Sequence, residues 1–307
     1  MIKYIGSKRA LLGHVTGAVA GLLPAGGRVC DLFSGTARVG HALKRQGFQV
    51  WSNDHNAYAH TLATAYVQAD RERWLAPAEA VLAELREVRP VAGWFTQAFC
   101  EDARYFHPDN GARIDAMRER IETLSLEPEL KAVVLVSLME AADRVDSTAG
   151  VQMAYMKRWA PRALKPLELR LPDLLPSVGA PCRATRGDAV EMAAEVEADL
   201  VYLDPPYIPT DHIAGLDPEV RDHDPHLALD GGPDGLQAYR DLAPEVMRIL
   251  KPGGVFAVEI GWDQGPQVKA LFEAEGFEDV KIVKDLGDRD RVVTNGPDPR
   301  TNPIPQE

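Results

Sequence analysis

Two short apolar runs on either side of one helical stretch constrain this fold more than any other feature of the chain. Arg28-Val29-Cys30-Asp31-Leu32-Phe33 has the β-branched and aromatic content of a buried strand and ends in Ser34-Gly35, a turn signal. From Arg38 the spacing of Val39, Ala42 and Leu43 is helical, and Gly47 stops it. A second strand, 48–51, is closed by Ser52-Asn53-Asp54. Strand, helix, strand at this spacing predicts a right-handed crossover between parallel strands, and so an α/β sheet rather than a helical bundle or a sandwich.

Residues 56–146 are mostly helical in pattern, with Tyr58, Leu62 and Tyr66 on one face and a long apolar stretch at 132–136. Strand patterning returns at 182–186 and strongly at 199–203. It is followed by a helix (235–250), a strand (255–260), a helix (264–276) and strands at 280–284 and 289–294. The predicted organisation is a cofactor-binding half at 1–70, a helical insert at 71–181 as candidate target-recognition region, a catalytic half at 182–296 and a fraying Pro- and Asn-rich tail at 297–307.

With 307 residues, 45% hydrophobic, the chain has enough apolar surface for a substantial core, which excludes a disordered regulator. No apolar run is long enough to span a bilayer and no signal-peptide pattern opens the chain, so the expected location is the cytoplasm. Cys30, Cys100 and Cys182 lie far apart without His or Cys at ligand spacing; buried, inert thiols and no metal are expected. The net charge of -12 is unevenly spread: residues 1–203 carry -1 and residues 204–307 carry -11.

Three segments carry chemistry. In the first, Asp31, Phe33, Ser34, Gly35 and Thr36 form a small-residue turn between strand and helix. Such a turn brings backbone close to a ligand and aims free N–H groups at it, although an ordinary strand-helix turn uses the same residues. Asp54, ending the next strand, is placed to accept the ribose hydroxyls of an adenosine moiety. Asp188 is either an acceptor for the adenine amine or the N-cap of the helix that starts at Ala189.

The second segment, Asp204-Pro205-Pro206-Tyr207, is more specific. Two prolines at the end of an apolar strand force the chain out of the sheet and turn carbonyls outward. An exocyclic amine is a poor nucleophile because its lone pair is delocalised. Acceptance of its two hydrogens by Asp204 and the Pro205 carbonyl would localise that lone pair for attack on a sulfonium methyl, while Tyr207 stacks on the planar substrate. The third segment, 155–186, carries seven basic residues against two acids. Tyr155, Lys157, Arg158, Trp159, Arg162 and Lys165 are its candidate DNA contacts, through phosphates and a flipped base; a solvated basic face is the alternative.

The order of Lys3-Tyr4-Ile5-Gly6-Ser7-Lys8-Arg9, the loop from Asp31 to Gly40, Ser52-Asn53-Asp54 and DPPY resembles the Dam-like group of DNA adenine-N6 methyltransferases over residues 1–207. The resemblance implies a class I, Rossmann-like methyltransferase sheet with a mostly helical insert, S-adenosylmethionine as cofactor, double-stranded DNA as partner, and cofactor contacts from Lys3, Tyr4, Gly6 and Lys8. Ala37 stands where that group usually has Gly. From about 204 to 294, the run GLDPEVRDHDPHLALDGGPDGLQAYR with KPGGVFAVEIGWDQG and GDRDRVV is similar to HemK-type release-factor glutamine methyltransferases, which carry NPPY and a preceding helical domain. The chain reads as a hybrid joined at the tetrapeptide, where the charge also changes.

Adenine in DNA is the expected substrate, favoured by Asp204 and the basic segment. The alternative, a release factor GGQ glutamine, is favoured by acidic residues after the tetrapeptide: Asp211, Asp217, Glu219, Asp222, Asp224 and Asp230. A module that binds cofactor without catalysis is the third reading.

Overall fold

The computed structural model describes residues 12, 16, 19, 23, 26–149, 154–193, 195–221, 226–285 and 287–296, with the backbone alone at 218 and 219. Lys3, Tyr4, Gly6 and Lys8 lie outside the described residues, as does the tail at 297–307. In chain order the main elements are β1 (Arg28–Asp31), α1 (Arg38–Arg45), β2 (Gln49–Asp54), α2 (Ala57–Ala63), α3 (Arg71–Arg86), α4 (Pro108–Thr123), α5 (Pro128–Arg144), β3 (Arg183–Arg186), β4 (Ala198–Leu203), α6 (Gln237–Ile249), β5 (Leu250–Glu259), α7 (Gly265–Ala274), β6 (Lys281–Lys284) and β7 (Asp290–Thr294). The chain divides into two compact units, a helical one over Thr64–Pro176 and a sheet unit built from 26–63 and 177–296.

The sheet has the order β3-β2-β1-β4-β5-β7-β6. Neighbours from β3 to β5 are parallel, and β7 runs antiparallel to both β5 and β6. This is the doubly wound class I methyltransferase arrangement, closed by the expected antiparallel strand at the carboxyl end of the chain. Connections from β1 proceed outward through β2 to β3, and the chain then returns to place β4 on the other side of β1. The order therefore reverses between β1 and β4, where open α/β sheets leave a crevice outside the carboxyl ends of their strands.

Two strand boundaries differ from the sequence pattern for tertiary reasons. β2 continues past Trp51 to Asp54 because β3 pairs along it from Trp51↔Arg183 to Asp54↔Arg186. β5 starts at Leu250 rather than 255: Leu250 pairs with Ala198, and the register then shifts around the Pro252-Gly253-Gly254 segment before Val255 pairs with Leu200. A bulge carries the strand through residues with no strand propensity of their own. Beneath the sheet, Phe256 stacks on Phe272 at 4.2 Å and meets Phe277 edge-on at 4.8 Å, in a core that includes Leu203, Tyr239, Val246 and Val258. Cys30, Cys100 and Cys182 are buried free thiols.

In the helical unit, Pro108 and Pro128 open α4 and α5, where a missing N–H costs nothing, and the Asp70 side chain caps α3 by accepting from the Glu72 N–H at 2.8 Å. Side-chain hydrogen bonds tie its helices together: Tyr66 donates to Glu140 at 2.6 Å, and Glu129 accepts from Gln68 at 3.0 Å and from Trp74 at 2.5 Å. Among the described residues no helix is long and apolar enough to cross a membrane, and no cluster of His, Cys, Asp or Glu has metal-binding geometry.

Candidate active site

Asp31 ends β1 and pairs in register with Tyr202 of β4, whose chain continues directly into Asp204-Pro205-Pro206-Tyr207. The first two segments singled out by sequence thus flank the point where the strand order reverses. Asp54, at the end of β2, stands one strand further along. Asp31 feels the other two carboxylates. Burial pushes the Asp31 carboxyl well above the usual range, and the charges of Asp204 and then Asp54 push it further, against a lowering by the Phe33 N–H.

The loop after β1 is held from below. Ser34 N–H donates to the Asn53 carbonyl at 2.9 Å, and Ala37 N–H to the Ser34 carbonyl at 2.7 Å. The Gly35 N–H donates to one Asp54 oxygen at 2.8 Å and Asn56 N–H to the other at 2.9 Å. Asp54 therefore fixes the loop. Ala37 sits in the left-handed region at φ 56 and is fully buried, a conformation in which the glycine usual in the resembling group carries no Cβ penalty.

Neither Asp31 oxygen nor the Ser34 hydroxyl, all buried, has a well-aligned hydrogen-bond partner among the described residues. Buried acceptors left open in this way are costly unless a ligand supplies donors. With Gly35 and the amino terminus of α1 beside them, they fit a ligand carrying N–H or O–H groups and positive charge.

Asn53, read from sequence only as part of a turn, does more than that. Its amide donates to the Leu32 carbonyl at 3.3 Å and the Gly187 carbonyl at 3.1 Å and accepts from Thr185 at 3.0 Å, so it ties the ends of β1, β2 and β3 together. Asp188 caps the short helix Ala189–Ala193: one oxygen accepts from the Val190 N–H at 2.9 Å and the Glu191 N–H at 3.3 Å.

Beneath the tetrapeptide, Tyr202 donates to buried Glu259 at 2.5 Å. Burial, followed by the charges of Glu259 and Asp204, holds its hydroxyl protonated. Pro205 is buried; Asp204, Pro206 and Tyr207 are half-buried at the crevice. After Tyr207 the chain runs beside 229–232: Ile208 N–H donates to Leu229 at 3.1 Å and Gly231 N–H to Ile208 at 2.8 Å. Asp230, one of the acidic residues that follow the tetrapeptide, clamps this loop, accepting from Thr210 at 2.7 Å and the Gly232 N–H at 2.9 Å. Asp211 and Asp217 are exposed; Asp222, Asp224 and the Glu219 side chain lie outside the described residues.

In the helical unit, residues 147–149 pair antiparallel with 154–156 through Thr148↔Tyr155. Tyr155 is 45% exposed and meets Tyr105 edge-on at 5.2 Å, while Trp159 meets His107 at 5.3 Å with Arg104 over its ring at 5.7 Å. Lys157, Arg158 and Lys165 are exposed. Arg162 is committed inward: it pairs with buried Asp146 at 2.5 Å and donates to the Thr148 carbonyl at 2.7 Å.

The sequence profile of the D12 class N6 adenine-specific DNA methyltransferases matches residues 4–239. This chain belongs to that family. The match runs past the tetrapeptide to residue 239. The type II methyltransferase M.NlaIII of Neisseria lactamica is 33% identical over 217 residues, covering 67% of this chain and 64% of its own length. A second likeness accompanies it: the release factor glutamine methyltransferase of Caulobacter vibrioides is 62% identical over 105 residues, 34% of this chain and 36% of that protein. That of Agrobacterium fabrum is 52% identical over 96 residues, 31% of this chain and 33% of that protein. The D12 chain thus spans about a third of the length of these release-factor relatives and shares sequence with two methyltransferase families. A solved TehB-like methyltransferase from Corynebacterium glutamicum aligns over 91% of this chain and 85% of its own at 10% identity with a TM-score of 0.35; the fold assignment rests on the strand order instead.

Proposed function

We propose that this chain is an S-adenosylmethionine-dependent N-methyltransferase that methylates N6 of adenine in double-stranded DNA. The observation that carries the reading is the facing of Asp31 and Asp204 across the reversal point of the sheet, in a chain of the D12 family. When bound, S-adenosylmethionine supplies an electrophilic methyl on a sulfonium. Asp31, Phe33, Ser34, Gly35 and Thr36 would hold it, with the open Asp31 and Ser34 acceptors taking its donors, Asp54 its ribose hydroxyls and Asp188 its adenine amine. Lys3, Tyr4, Gly6 and Lys8 complete the proposed set.

On the substrate side, Asp204 and the Pro205 carbonyl accept the two N6 hydrogens and localise the lone pair. The Asp204 carboxylate would offset positive charge developing at that nitrogen. Tyr207 stacks on the base and holds it in plane. Tyr155, Lys157, Arg158, Trp159 and Lys165 are assigned to the duplex, the lysines and Arg158 to phosphates and the aromatics to the gap left by the flipped base, while Arg162, expected from sequence among them, is held by Asp146 instead.

The 62% identity with the Caulobacter enzyme favours a second reading, glutamine in a release factor. Incubation with labelled methyl donor and either mixed-sequence duplex DNA or a GGQ-containing release factor, with Asp204→Ala as control, separates the two. Label on DNA, lost in Asp204→Ala, is expected. Label on the release factor alone overturns the DNA assignment.

A further inference from the structure

The carbonyl of Tyr207, the last residue of the tetrapeptide, lies in a pocket of backbone made by two glycine turns, and one side chain closes it. Gln264, buried at the start of α7, donates from Nε2 to the Tyr207 carbonyl at 2.9 Å and to the Gly235 carbonyl at 3.1 Å. Its Oε1 accepts from the Gly261 N–H at 2.9 Å, with the Tyr239 hydroxyl at 3.5 Å. Both amide hydrogens and the amide oxygen are thus used, and a flipped amide would turn its oxygen against two carbonyls. The surroundings leave no slack. A Cβ on Gly235 would lie 2.5 Å from the Tyr207 oxygen, and one on Gly261 would lie 2.8 Å from Gln264 Oε1 and 3.4 Å from the Tyr207 ring.

We infer that Gln264 is a positioning residue for methyl transfer: it fixes the Tyr207 backbone, and through it the ring that holds the substrate and the carbonyl face of the tetrapeptide. Gln264 lies beyond residue 239, outside the D12 match, so a segment that the D12 profile does not include locks the catalytic tetrapeptide. The inference rests on the methyltransferase reading of residues 204–207.

Gln264→Glu separates positioning from simple packing, because it keeps the acceptor for Gly261 and the side-chain volume but removes the donor. At pH 8 its carboxylate faces two carbonyls, and at lower pH the protonated acid regains one donor. Titratable neighbours are Tyr239, kept protonated by burial and then by the charges of Tyr207, Asp204 and Glu259, and Asp290, which abuts Gly265. In the full chain with duplex DNA, kcat of Gln264→Glu should fall about a hundredfold at pH 8, the scale of an ångström-level misplacement, with KM for S-adenosylmethionine unchanged. The deficit relative to wild type should shrink at pH 6. A kcat within about twofold of wild type at pH 8, or a deficit equal at both pH values, overturns the role.

A second readout needs no turnover. In Gln264→Ala, amide hydrogen exchange should quicken at Gly261 and across 208–210 and 231–235 while the sheet strands stay protected. Unchanged protection there overturns the inference. Wild type that labels no DNA but shows the exchange change would sink the proposed function and leave the lock standing.

Discussion

Gly235→Ala tests the geometry around the tetrapeptide with a control supplied by the same sheet. Gly235 has φ +73, and Ala in that region costs about 1–2 kcal/mol, offset by about 0.4–1 kcal/mol because Ala also restricts the unfolded chain. Gly253, at φ +79 with no atom within 4 Å of its would-be Cβ, faces only this backbone term. At Gly235 the new Cβ would also lie 2.5 Å from the Tyr207 oxygen and 2.7 Å from Gln264 Nε2. Neither atom can retreat without breaking the bond between them, which leaves a buried carbonyl and amide short of a partner at roughly 1–3 kcal/mol. Gly253→Ala should therefore lose about 1 kcal/mol and Gly235→Ala about 2–3 kcal/mol more. Urea unfolding followed by circular dichroism reads this as a midpoint for Gly235→Ala about 1 M below that of Gly253→Ala. Coincident midpoints for the two variants would mean that the turn at 235 yields freely and that the Tyr207 carbonyl is not locked, which would refute the reasoning.

Two further predictions concern charge. Asp31 has a folded-state pKa raised by burial and then by Asp204 and Asp54, so the folded state holds a proton that the unfolded state has released. Stability of the ligand-free protein then falls as pH rises from the ordinary carboxylate range through the raised pKa. Asp31→Asn should raise the melting temperature at pH 7, flatten that dependence and abolish S-adenosylmethionine binding by calorimetry; a lower melting temperature at pH 7 contradicts it. For Arg162, pairing with buried Asp146 predicts that Arg162→Gln lowers stability by about 2 kcal/mol, less than the cost of a fully buried pair because the arginine is 38% exposed. Its DNA affinity should keep the wild-type salt slope, whereas Lys157→Gln and Arg158→Gln should each reduce that slope by about 1. A reduced slope in Arg162→Gln with unchanged stability reverses the assignment.

The parts of the site that lie within one strand and its following turn were legible in the sequence. Asp31 to Gly35 and Asp204 to Tyr207 announce themselves because a strand end followed by small residues or prolines is a local event, and DPPY together with the order of motifs carried the family. Strand boundaries drifted where pairing overrode propensity, at Asp54 through β3 and at Leu250 through the bulge. Roles that depend on a distant partner were not legible. Nothing near Arg162 announces Asp146 as its partner, and Asp230 reads as one more acid until Thr210 and Gly232 are seen to use it.

By itself, then, the sequence determined an α/β methyltransferase sheet, the tetrapeptide and its loop, because alternating apolar periods and turn residues act over a few positions. Only the tertiary structure decided which strand ends meet. The return of the chain from β3 to β4 sets Asp31 beside Asp204, and a hydrogen bond spanning 57 positions joins Gln264 to Tyr207. Such contacts depend on where strands pair in space, and a side-chain amide carries no local mark of the carbonyl it will bind.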